Sequence, residues 1–354
     1  MSSSTARALE PEPDHAEELV DQVRRLIQVE DPVIKEARKR RDLVKKIAEA
    51  YLGFVRSYNS GSIAHGTAKN PLPDADAGSV LDRRSYPALG PDGAGEGPGR
   101  LMREMAAFLE VEIRRHYPKA TVEVTKRAIK IDFNEPIDDE DPSVDLVLGL
   151  TRRDGPGLWI PNTEQDRWDA SDPEKHTALL VADPEDLRVF RARLIRLIKV
   201  ALGQDDPAVI ISFNIEALAL EHVTEVTGLA EGLRDLLRAM SLDISRRLTP
   251  DPAKVSPPIK LPEGVSHETA SRRLAFFADR VAEAVEHTQD EQAVRRALAA
   301  VFPEQISGGE DQSVKGQFAR ALKSGNNSPA AQVALGAGTD RVKSNARSFG
   351  HARH

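Results

Sequence analysis

The 354-residue chain has no cysteine. That excludes disulfides, thiol nucleophiles and cysteine-ligated zinc, and it agrees with a reducing compartment. Aromatic residues make up only 5%, too few for a platform that stacks successive bases of a nucleic acid. No apolar run approaches the ~20 residues that cross a bilayer. The N-terminus, MSSSTARALEPEPDHAEE, lacks the apolar stretch of a secretion signal. Basic residues are in deficit, and the net charge is −7. From Asp311 onward seven Lys or Arg stand against two Asp, so the tail carries +5 and the rest of the chain −12. A body of that sign repels long polyanions. Small nucleotides that arrive with a cation remain suitable partners. His65, His116 and His176 share no metal-ligand spacing. The expectation is a cytoplasmic, monomeric protein with no membrane partner and no extended nucleic acid.

What is there fits a soluble globular protein, with 40% hydrophobic and 30% charged residues. The length allows one large or two ordinary domains. The most informative stretch is GSIAHGTAKNPLPDADAG, residues 61–78. Asp74 and Asp76 are separated by one residue, and on a strand such residues point to the same face. Two crowded carboxylates repel unless a cation neutralises them. Mg²⁺, a hard ion with oxygen ligands, is the natural occupant where phosphates also bind. The Gly61-Ser62 turn, leading toward an expected helix at 67–70, offers N–H groups and a hydroxyl to phosphate oxygens. The pattern suits a nucleoside triphosphate and its metal.

Periodicity organises the rest. Residues 1–14 read as a disordered start, followed by helices over 15–28 and 32–51. Short strands are expected at 54–58 and 74–81, a Gly/Pro loop over 85–99, and a helix over 100–116. A hairpin fits 121–126 and 129–133, then an acidic turn at 138–141 and an apolar strand around Asp145. A charge buried in such a strand costs several kcal/mol unless paired. From residue 172 helices dominate. Leu187, Phe190, Leu194, Leu197 and Ala201 form one core-facing stripe. Further helices fit 212–223, 226–247, 266–288 and 290–301, with a Pro-rich crossing over 249–264. No internal repeat is present. This gives an α+β domain at 15–175, a helical domain at 176–310, and a mostly disordered basic tail at 311–354.

A Gly-Ser turn followed by Asp-x-Asp resembles the signature of DNA polymerase β-like nucleotidyltransferases. GLWIPNTEQDRWDASDPEKH at 157–176, RLIRLIKVALG from 193 and SFNIEALAL from 212 narrow the likeness to the bacterial cyclic-oligonucleotide synthases, or CD-NTases, relatives of cyclic GMP–AMP synthase and oligoadenylate synthase. The similarity runs in order from about residue 40 to 305. It implies a mixed sheet followed by a helical lobe, with the site between them. It also implies Asp145 as third carboxylate beside Asp74 and Asp76, together holding two Mg²⁺ ions, with Mn²⁺ as a substitute. Lys199 and Ser212 match the family's triphosphate contacts, alongside Gly61 and Ser62. The implied activity joins ATP, GTP, CTP or UTP into a cyclic di- or trinucleotide second messenger in anti-phage defence. Two departures stand out. Small residues fill DADAGSVL, where Gly78 weakens strand propensity, and Asn162 replaces an aspartate in Ile160-Pro161-Asn162. Trp168 reads as packing under the lobe junction, and the amide of Asn162 offers a base-reading alternative. A transferase making a linear product, or modifying a small molecule or RNA end, shares the same fold. So does a non-catalytic nucleotide sensor. The tail implies a tether, with Phe349-Gly350 as the point a protein partner grips.

Overall fold

The structure, a computed structural model, describes residues 14–306 apart from positions 154, 206 and 207. The expected disordered start, Asp14 excepted, and the basic tail lie outside the described residues. In the first half the elements run α1 (His15–Leu26), α2 (Asp31–Ala48), β1 (Phe54–Ser60), α3 (Gly61–His65), β2 (Asp74–Leu81), α4 (Gly99–Ile113), β3 (Thr121–Val124), β4 (Ile129–Asp132), β5 (Ser143–Thr151), β6 (Leu158–Asn162) and β7 (Arg167–Ser171). Helices follow: α5 (Pro173–Val181), α6 (Glu185–Leu202), α7 (Ser212–His222), α8 (Leu229–Arg246), α9 (His267–Glu286) and α10 (Glu291–Ala299).

The strands form one mixed sheet in the order β1-β2-β5-β4-β3, with the β6–β7 hairpin continuing from β5. The pair β2 and β5 is parallel and the other pairs are antiparallel. Alternation gives the two faces of β2 different tasks. Ala75 and Ala77 point into a core with Val33, Ala37 and Val44 of α2 and with Met102, Met105 and Leu109 of α4. Each fully buried Val, Leu or Met side chain there contributes about 1.5–3 kcal/mol. Asp74, Asp76 and Gly78 are left on the opposite face.

The entry to the central strands is tied to α2. Arg40 is fully buried and stacks over Phe133 at 4.7 Å. Its guanidinium reaches Asp141 at 2.6 Å and the Pro142 carbonyl at 2.9 Å, just ahead of β5. In the same acidic turn, Glu140 accepts a hydrogen bond of 2.6 Å from the Leu72 N–H, ahead of β2. One turn therefore fixes where both carboxylate-bearing strands begin.

The helices build a second core. It joins α1 to α6, α7, α8, α9 and α10 through Val20, Val23, Leu194, Leu197, Leu218, Leu237, Phe277 and Leu298. Side-chain caps start several of these helices: Asp14 accepts from the Glu17 N–H, Ser266 from Thr269 and Asp290 from Gln292 and Ala293.

Two elements differ from the sequence reading. The helix expected at 67–70 lies instead at Gly61–His65, and Gly66 ends it in the left-handed region at φ 70°. The Thr67 N–H then turns back to the Ser62 carbonyl at 2.8 Å. The β6–β7 hairpin was not anticipated. Its strands are five residues each, and Pro161 interrupts the alternation that would have marked the first.

Candidate active site

Strand register places the carboxylates. Asp76 lies beside Asp145 across the parallel β2–β5 pair, and Lys130 of β4 lies beside Asp145 on the other side. Directly opposed residues share a face, so Ser60, Asp76, Asp145 and Lys130 form one row across four strands. Asp74 sits one step along, beside Ser143. The crowding shows in the acidity of the groups. Burial, then the charges of Asp74, Asp145 and Glu216, push the Asp76 carboxyl up to about 7, against a pull from Lys199. Burial and Asp74 push Asp145 up to about 6, with Lys130 opposing. Burial also raises Asp74, against Lys199 and Lys130.

The Gly-Ser turn is folded onto Asp76. Gly61 adopts φ +69°, and a Cβ there would lie 1.6 Å from the Asp76 Oδ2. Conformation and space both require glycine. Glycine also admits Tyr58 into the sheet. A Cβ on Gly78 would lie 1.9 Å from the Tyr58 Cζ, so the weak strand former of β2 makes room for a ring from β1.

Across from the sheet, Lys199 of α6 and Ser212 of α7 complete a cleft of about 510 Å³, lined also by Gly61, Ser62, Asp74 and Asp76. Lys199 Nζ donates to Glu216 Oε1 at 2.7 Å and to Thr67 Oγ1 at 3.1 Å. Thr67 Oγ1 donates to the same Glu216 oxygen at 2.8 Å. The other Glu216 oxygen lies 3.0 Å from His65 Nδ1, and His65 Nε2 lies 2.9 Å from Thr177 Oγ1. Burial alone would raise the Glu216 carboxyl, but hydrogen bonding to His65 and the charge of Lys199 outweigh it and hold the group at about 2. Glu216 thus bolts the end of the Gly-Ser helix to the helical core.

The aspartate row suits a divalent cation. Asp145 Oδ1 is buried with no hydrogen-bond partner among the described residues. An orphaned carboxylate oxygen beside two further carboxylates is a costly arrangement without a cation. The donor set is all oxygen, as Mg²⁺ requires.

Two other places among the described residues lack this chemistry. A larger hollow of about 680 Å³ on the helical side is lined by Glu17, Asp21, Glu185, Asp186 and Arg193. Its Glu17 caps α8 through the Leu229 and Ala230 N–H groups, both at 2.8 Å, and its Asp21 pairs with Arg24 and Arg25. Glu221, His222 and Asp243 bring ligand atoms within 4.8 Å of one another. The Arg247 guanidinium already lies 2.6 Å from both carboxylates there.

Six of the sequence-predicted residues, Gly61, Ser62, Asp74, Asp76, Lys199 and Ser212, line the cleft, and Asp145 adjoins Asp76. Asn162 stands apart. It is buried, and its amide donates to Gln165 and Asp169, both at 3.1 Å. Trp168 packs in the sheet core and donates from Nε1 to the Glu96 carbonyl at 3.1 Å. The sequence reading missed His65, Thr67, Lys69, Phe213 and Glu216. A signal for Glu216 was present: a lone charge inside the apolar run SFNIEALAL, the argument that picks out Asp145.

No protein-family profile and no curated protein sequence matches the chain. Solved structures do. The Bradyrhizobium diazoefficiens CD-NTase CdnG, in complex with GTP, superposes with a TM-score of 0.63 at 16% identity, covering 86% of this chain and 98% of that one. CdnC of E. coli MS115-1, in complex with a HORMA protein, gives 0.60 at 17% identity over 83% and 98%. The Vibrio cholerae cyclic AMP-GMP synthase DncV, in complex with the linear intermediate pppA(3′,5′)pG, gives 0.54 at 12% identity over 83% and 88%. The chain therefore has the CD-NTase fold, a DNA polymerase β-like nucleotidyltransferase sheet followed by a helical lobe.

Proposed function

We propose that this protein is a Mg²⁺-dependent nucleotidyltransferase of the cytoplasm that joins nucleoside triphosphates into a cyclic di- or trinucleotide, a second messenger in anti-phage defence. The observation that carries this reading is the aspartate row of β2 and β5, met in one cleft by the Gly61-Ser62 turn, Lys199 and Ser212. Asp74, Asp76 and Asp145 would hold the metal. When bound, Mg²⁺ neutralises phosphate charge and makes the acceptor hydroxyl easier to deprotonate. The Gly61-Ser62 turn, Ser212 and Lys199 hold the donor triphosphate. Phe213, which also lines the cleft, gives the base an aromatic wall. Its ring is backed by His176 at 4.6 Å, and His176 is held by Asp251 at 2.6 Å. The acceptor's 3′-hydroxyl attacks the α-phosphorus, a phosphodiester forms and pyrophosphate leaves. Asp145 takes the hydroxyl proton. The protein's contribution is positioning and fixed charge. The nucleotides bound in similar solved structures, ATP in CdnC and GTP in CdnG, support such a site.

Incubation with labelled ATP, GTP, CTP and UTP plus Mg²⁺, followed by phosphatase, tests the proposal. A phosphatase-resistant product is expected. A product that loses terminal phosphates would mean linear synthesis, and no product at all would point to a sensor.

A further inference from the structure

Lys199 does not meet an incoming triphosphate as a free charge, because its ammonium is paired with Glu216. The other basic side chain lining the cleft is Lys69. Lys69 also lines a smaller adjoining hollow of about 100 Å³, together with Gly203 and Gln204 at the end of α6. It makes no hydrogen bond or ion pair among the described residues. Its backbone is nonetheless firmly placed. Two residues before it, Thr67 is tied to Ser62 and Glu216, and one residue after it the Asn70 N–H donates to the Ile27 carbonyl at 2.8 Å.

The charges in the cleft are unevenly distributed. Asp74, Asp76 and Glu216 line it and Asp145 adjoins Asp76, while the charge of Lys199 is taken up by Glu216. Cations on the aspartates would serve the reacting end of a triphosphate. The far end would still lack a free positive charge, since Lys199 is shared with Glu216. A lysine ammonium is a compact charge on a flexible stem, suited to a phosphate group, and with the backbone already fixed only the side chain has to be ordered on binding.

We infer that Lys69 binds the terminal phosphate of the donor and makes this cleft prefer nucleoside triphosphates over diphosphates. The inference rests on the nucleotidyltransferase reading of the same cleft. It is tested on the full chain by calorimetric titration, in Mg²⁺, with a non-hydrolysable triphosphate and the matching diphosphate of each base. Lys69→Met, which keeps the apolar stem, should weaken triphosphate binding roughly 10- to 100-fold, the range for a charged hydrogen bond. Diphosphate binding and the melting temperature should stay unchanged, and Lys69→Arg should retain the triphosphate preference. Equal loss for both nucleotides would place Lys69 on base or ribose, and no loss would place it in solvent. Either result overturns the assignment alone. A wild-type protein that bound no nucleotide would overturn the nucleotidyltransferase reading itself.

Discussion

Asp76 is buried among like charges, and two predictions follow from its neighbourhood. Its carboxyl is raised to about 7 from an ordinary 3.8, chiefly by burial and by the neighbouring carboxylates. A folded-state value above the unfolded one means that the stabilising contribution is complete below about pH 4 and is lost as pH rises through about 7. In metal-free buffer the wild type should therefore lose stability across that window. Asp76→Asn should flatten the decline and melt higher than the wild type at pH 8, while losing activity by several orders of magnitude. Denaturant melts at pH 5 and pH 8 check this, and an equal pH slope in the two proteins would contradict the crowding argument. Lys199 is the second case. Removing it leaves Glu216 buried with one ion-pair partner fewer, so Lys199→Met should cost about 3 kcal/mol of stability as well as triphosphate affinity. Adding Glu216→Gln should restore much of the stability and none of the affinity. Recovery of both would mean that Lys199 serves the fold alone.

At the scale of elements, the sequence exposed what alternation and isolated charge can expose. The strand bearing Asp74 and Asp76 was readable because two carboxylates two residues apart needed a common face. Asp145 was readable because a charge interrupts an apolar strand. The Gly-Ser helix was misplaced by several residues because its end is set by the Gly66 conformation and by Thr67 folding back to Ser62, contacts with no periodicity. The β6–β7 hairpin was missed because its register comes from pairing with the end of β5, which is tertiary information. Glu216 escaped because its three partners come from other elements, α3, its following turn and α6. Gly78 shows the same limit in one residue. Read locally it weakens a strand; in the sheet it is the space that Tyr58 occupies. Gly78→Ala should therefore destabilise by about 1–3 kcal/mol through overpacking, and Tyr58→Val in the same chain should recover part of that loss. A neutral Gly78→Ala in thermal melts would show that the ring moves aside freely.

For the whole molecule, the decisive feature is that the cleft draws on two hydrophobic cores. Ser62 follows a strand of the sheet core, whereas Lys199 and Ser212 lie on helices of the helical core. Within the described residues no helix is long and apolar enough to cross a membrane. A ligand held from both sides adds its binding free energy to the stability of the folded chain. Mg²⁺ with a non-hydrolysable triphosphate at about 100 times its dissociation constant should stabilise the protein by ~2.7 kcal/mol. That is a few degrees for a chain of this size, at about 1–2 °C per kcal/mol. Mg²⁺ alone should act more strongly at pH 8 than at pH 5, because the aspartates are then ionised. Ser62→Ala removes a hydroxyl from the sheet side and Ser212→Ala one from the helical side. Each should reduce the nucleotide-induced shift, and together they should reduce it further, while the melting temperature without nucleotide changes little. A shift that responds to Ser62 but ignores Ser212 would mean that the triphosphate lies on the sheet alone, and the account of a site shared between the two cores would fail.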